Sequence, residues 1–179
     1  GNEEFASYVL KQNKIFFVLT TALSDEHPIS KWVKKHGDGV SEIAFSSNAP
    51  NEDYNYAIEN GAQSFYDYKE FKDLNGVYKT AAVKTYGEVI HSFIDSSQYS
   101  GIWKPGFIEY NPDPVPSNEV DLLLVDHIVG NVEDNKMDEW VDFYEKSFNF
   151  KPFIEFTEDD IATKYSALRS KVMKSDNNK

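Results

Sequence analysis

VSEIAFSSN (residues 40–48) and VDHIVGNVE (residues 125–133) open two copies of one pattern. Each is an apolar, strand-like run with a polar side chain set into it, Glu42 in the first and His127 in the second. Reading outward from the first copy, residues 40–46 form a strand and residues 51–60 a helix, with Gly61 as its C-cap. Strands over 64–69, 78–86 and 89–95 follow, joined by an Asn75-Gly76 hairpin turn and a Gly87-Glu88 turn. Outward from the second copy, residues 122–129 read as a strand. Met137, Trp140, Val141, Tyr144 and Phe148 then recur on one face of a helix. Asn135 is placed to cap that helix, and Asp138 and Glu139 suit its positive end. Residues 153–156 and 165–172 read as two further strands.

The β-α-β-β-β order is therefore written once in full and begun again. A hairpin over 5–11 and 15–20, turning at Gln12-Asn13, reads as the tail of a still earlier copy. Residues 24–35 are a short helix with Pro28 in its first turn, ended by His36-Gly37-Asp38-Gly39. Residues 101–118 hold Pro105, Pro112, Pro114 and Pro116 and show no periodicity, so they read as a linker. The expected class is α+β, built from repeated β-α-β-β-β units. Residues 1–118 are expected to form one domain with its linker, and 119–179 the start of a second. The last strand and the first hairpin would then be open edges, which predicts self-association or strand exchange.

Composition narrows the function. The formal net charge of −12 disfavours nucleic acid and anionic membrane surfaces, which require clustered Lys and Arg. No apolar run reaches the length of a bilayer span. The absence of cysteine removes disulfides, thiolate metal sites and cysteine nucleophiles, and fits a reducing cytoplasm. Phosphate-cradling glycine motifs, GxSxG, HExxH and calcium-loop spacing do not occur.

In a strand over 122–129, alternation puts Leu123, Val125, His127 and Val129 on one face and Asp126 on the other. His127 is then either a satisfied core histidine or a neutral imidazole ligand for a metal, with Asp126 turned away from it. Ser170 likewise faces one way with Leu168 and Val172, as a small core residue or as a hydrogen-bond donor in a pocket. Glu42 and His91 are a second possible carboxylate–imidazole pair without a third ligand. His36 reads as a capping or loop residue, and His27 as surface.

Several stretches together resemble the 4-hydroxyphenylpyruvate dioxygenases of the vicinal-oxygen-chelate superfamily. They include KKHGDGV (34–40), TYGEVIHSFID (85–95), YSGIWKPGF (99–107), DHIVGNV (126–132), KMDEWVDFYE (136–145) and YSALRSKVM (165–173). The resemblance implies repeated β-α-β-β-β units and an Fe(II) enzyme of tyrosine catabolism. Such an enzyme converts 4-hydroxyphenylpyruvate, an aromatic 2-oxo acid, and O2 to homogentisate and CO2. Two histidines and a glutamate hold its iron as a facial triad. By the same resemblance His127 matches the first iron ligand, Val129 lines the pocket and Ser170 contacts substrate. Glu42 and His91 return to structural roles. The positions of the other two ligands have no counterpart in this chain, which predicts that the polypeptide alone is inactive. The alternatives are a 4-hydroxymandelate synthase-like enzyme and a non-catalytic binding module of the same fold.

Overall fold

The computed structural model describes residues 3–110, 120–157 and 169–176. Strands β1 (Phe5–Gln12) and β2 (Ile15–Ala22) form an antiparallel hairpin turning at Asn13 and Lys14. Helix α1 (Pro28–His36) follows. His27 is its N-cap rather than a surface residue, with Nδ1 accepting the Ile29 N–H at 3.2 Å. The helix is tied to a distant turn through Glu88. The Glu88 carboxylate meets Lys35 Nζ at 2.8 Å and His36 Nε2 at 2.6 Å, and its carbonyl accepts from Trp32 Nε1 at 3.4 Å. These contacts, Lys35 first, hold the Glu88 carboxyl below its ordinary range.

The complete unit comprises β3 (Glu42–Ser46), α2 (Pro50–Glu59), β4 (Gln63–Asp73), β5 (Gly76–Lys84) and β6 (Ile90–Tyr99). Its sheet has the order β3-β6-β5-β4, so the first and last strands of the unit lie side by side and parallel. The hairpin at Asn75-Gly76 forms as the sequence predicts. Gly76 sits at φ 123° against the Gln98 backbone, where a side chain has no room. β3 begins at Glu42 rather than Val40, which is exposed. The second turn is a short 3-10 turn, Tyr86–Glu88.

The core lies where α2 covers the central strands: Tyr54 and Ala57 of α2 pack with Ala62, Ala81, Val83 and Phe93. Helix α3 (Met137–Phe148) adds Phe143 and Phe148 to the same cluster, and Phe148 stacks on Phe93 with centroids 5.4 Å apart. Close approach of the two helices is sealed by Ser147, whose hydroxyl donates to the Asn60 carbonyl at 3.2 Å. The stripe predicted for α3 is thus correct, but its cap is not. Lys136 stands at the N-cap without a side-chain capping bond to the backbone, its Nζ meeting Glu139 Oε1 instead, and Asn135 takes a left-handed φ of 63° in the preceding turn.

β7 (Lys151–Phe156) and β8 (Ser170–Lys174) pair antiparallel beyond α3. Lys171 of β8 ties the hairpin to α3 through Asp138 at 2.8 Å. Of the strand predicted over 165–172, residues 165–168 lie outside the described residues, as does the predicted domain boundary at 118–119. Residues 101–110 carry neither helix nor strand. Among the described residues no helix is long and apolar enough to cross a membrane.

The predicted strand over 122–129 does not form. Residues 120–133 carry no regular structure, and Leu122 to Val125, Ile128 and Val129 are exposed. A strand needs a ladder to satisfy its backbone, and no described strand pairs with this run.

Candidate functional site

The segment carrying His127 is pinned at its entry by the tip of the β1–β2 hairpin. The Leu122 N–H donates to Gln12 Oε1 at 3.0 Å, and Asn13 Nδ2 donates to the Leu122 carbonyl at 2.7 Å. Beyond that anchor the backbone is free of strand alternation. Asp126 and His127 therefore do not point apart, and the sequence expectation for this pair is overturned. His127 Nδ1 lies 2.7 Å from Asp126 Oδ2, and the side chains are 66% and 85% exposed. His127 is not a core histidine. With Nδ1–H donating a hydrogen bond to the carboxylate, Nε2 keeps its lone pair, the arrangement in which a carboxylate orients an imidazole for a metal.

The other predicted site residues are less engaged. Val129 is 70% exposed. Ser170 is half-buried on β8, opposite Phe156. No hydrogen bond among the described residues joins His127 to Ser170. Nor do the described residues contain any group of three or more His, Asp or Glu able to hold a metal ion. His127 fits one position of a facial triad; the described residues do not complete the site.

A second histidine centre is buried. His91 on β6 is 1% exposed. Its Nδ1 lies 3.0 Å from the Ile90 carbonyl and its Nε2 2.6 Å from the Tyr144 hydroxyl of α3. Nδ1–H therefore donates to the carbonyl and Nε2 accepts the phenol proton, a neutral tautomer. Burial pushes the His91 pKa down to about 4, against a small opposing effect of the Ile90 carbonyl. Burial likewise raises the Tyr144 phenol. Phe45, Tyr86 and Phe148 stand edge-on to the imidazole. Glu42 is not part of this group; it accepts from Ser92 on the opposite face of the sheet. The structural reading of Glu42 and His91 is correct, and the partner missed from sequence is Tyr144. Its signal was present: a phenol inside the apolar stripe of a helix needs a hydrogen-bond partner once buried.

The chain is 38% identical to the 4-hydroxyphenylpyruvate dioxygenase of Dictyostelium discoideum over 97% of its own length and 48% of that protein. It is 36% identical to the one of Tetrahymena thermophila, over 97% of this chain and 45% of that protein. The chain is a homologue of the 4-hydroxyphenylpyruvate dioxygenases. It spans about half the length of the curated relatives it matches. No protein-family model matches it. A solved structure of a 4-hydroxymandelate synthase variant from Streptomyces coelicolor superposes on 99% of this chain and 50% of its own, with a TM-score of 0.78 and 19% identity. That likeness carries the fold: repeated units of the vicinal-oxygen-chelate type, as the dioxygenase resemblance implies.

Proposed function

We propose that this chain serves a non-haem Fe(II) dioxygenase that converts 4-hydroxyphenylpyruvate and O2 to homogentisate and CO2. The observation that carries the reading is the identity to proteins of that name across nearly the whole chain. His127 is the iron ligand this chain supplies, oriented by Asp126. Val129 and Ser170 are the proposed pocket residues. Bound iron supplies oxygen activation; Asp126 holds the Nδ1 proton so that His127 presents Nε2. Residues 1–118 form the first domain with its linker, and 119–179 open the domain that holds the iron. The cysteine-free composition fits a cytoplasmic setting.

The test is to express the open reading frame containing this chain, supply Fe(II), and follow O2 uptake and product with 4-hydroxyphenylpyruvate. Homogentisate as product, lost in His127→Ala, is the expected result. 4-Hydroxymandelate as product selects side-chain oxidation instead. No substrate-dependent O2 uptake by that protein favours a non-catalytic module of the same fold. The 179-residue chain alone, with one donor in hand, is expected to be inactive, and uptake by it overturns that reading. The exposed apolar residues of 122–129 suit self-association, and we include a homo-oligomer in the proposal.

A further inference from the structure

Gly130 occupies the place in its copy that Phe45 occupies in the first. Phe45 packs inward against His91, Phe148 and Phe150. Gly130 has no side chain, and the space is filled from elsewhere: the phenol of Tyr86 lies against it, so closely that an added Cβ would clash with the Tyr86 hydroxyl, Cε2 and Cζ. Gly130 takes no positive φ, so its glycine is required by proximity rather than by backbone angle. The same Tyr86 ring meets Trp140 of α3 edge-on at 5.5 Å and His91 at 6.4 Å. One residue of the complete unit thus touches both the His127 segment and the helix that follows it.

That segment has no β-ladder with any described strand, so these contacts carry the burden of placing it. Leu122 is held by Gln12 and Asn13 at one end, and Gly130 by Tyr86 at the other. His127 stands between the two anchors. We infer that Tyr86 is a positioning residue: its ring is the seat for Gly130 and thereby sets where the His127 imidazole stands. The inference rests on the proposed role of His127 as a metal donor, but its structural half is measurable without metal.

The experiment is a double-substitution cycle on the isotopically labelled 179-residue chain, read by the NMR signals of the His127 amide and imidazole. Gly130→Ala is expected to move them. Tyr86→Phe, which keeps the ring, is expected to leave them in place. In a Tyr86→Ala background, Gly130→Ala is expected to add nothing, because the clash has gone. An equal displacement by Gly130→Ala with and without the ring overturns the inference. If Tyr86→Ala does not fold, the comparison of Gly130→Ala with Tyr86→Phe decides it, and unmoved His127 signals in Gly130→Ala overturn it. Co(II) titration separates the two layers. Broadening of His127 at roughly tenfold higher Co(II) in Gly130→Ala than in the parent supports both. In the protein expressed from the open reading frame, undiminished substrate-dependent O2 uptake by His127→Ala, with the coupling intact, supports the seat and overturns the ligand reading.

Discussion

Two runs of similar strand character meet different fates in this molecule. VSEIAFSSN becomes β3 because β6 lies alongside it, register Glu42–Ile90 to Ser46–Ile94. VDHIVGNVE has β-branched residues in similar places, finds no described strand to pair with, and stays irregular and largely exposed. The difference teaches that strand propensity is a request for a partner rather than a conformation in itself. It also explains the two histidine environments. His91, on a central strand under two helices, is neutral and structural; His127, on an unpaired run, is solvent-facing with one nitrogen free.

The largest expected effect comes from the packed side of this contrast. Phe93→Ala removes the ring on which Phe148 stacks and should cost about 3–5 kcal/mol in urea unfolding. A loss below 1 kcal/mol would mean that α3 does not depend on the first sheet. Next is pH. His91 has a folded pKa depressed to about 4 from an ordinary 6.5, so the folded state binds fewer protons than the unfolded state between those values. Its contribution is fully present above pH 6.5 and lost as pH falls toward 4, by roughly 3 kcal/mol at about 1.4 kcal/mol per unit of displacement. Subtracting the stability–pH curve of His91→Gln from that of the parent should isolate this slope; parallel curves would refute it.

Matched truncations test the two runs directly. Ile43→Ala on β3 should cost ~2 kcal/mol, whereas Ile128→Ala at the equivalent place should stay within ~0.5 kcal/mol. Equal costs would show that the second run is packed in solution after all. The smallest effect on stability is expected from Leu123→Ser, also within about 0.5 kcal/mol, because Leu123 is exposed. Its effect should appear instead as reduced self-association by light scattering at high concentration, and a parent chain that is already monomeric there would remove the homo-oligomer from the proposal.

Much of the complete unit was legible from residue patterns. Asn75-Gly76 announces its hairpin because few residues accept the left-handed backbone that the turn needs. The α3 stripe announces a helix because burial on one face repeats with the helical period. What failed were inferences that assumed a partner. Alternation separated Asp126 from His127 only on the premise of a ladder; without one, the two side chains meet at 2.7 Å. Asn135 looked like a cap, but the chain spends it on a turn one residue too early. Nothing local to Gly130 says that the ring of Tyr86 lies on it.

Local order was therefore settled by the sequence alone: the strand–helix–strand–strand–strand succession, the turns, the amphipathic faces and the resemblance that singles out His127. These depend on near-neighbour sterics and on the period of apolar residues, both of which a linear string contains. Tertiary structure decided which runs found ladders, which histidine was dehydrated into neutrality and which ring filled the space above Gly130. Those outcomes depend on contacts between residues far apart in the chain, such as His91 with Tyr144 and Tyr86 with Gly130, and no local pattern encodes which distant group will arrive.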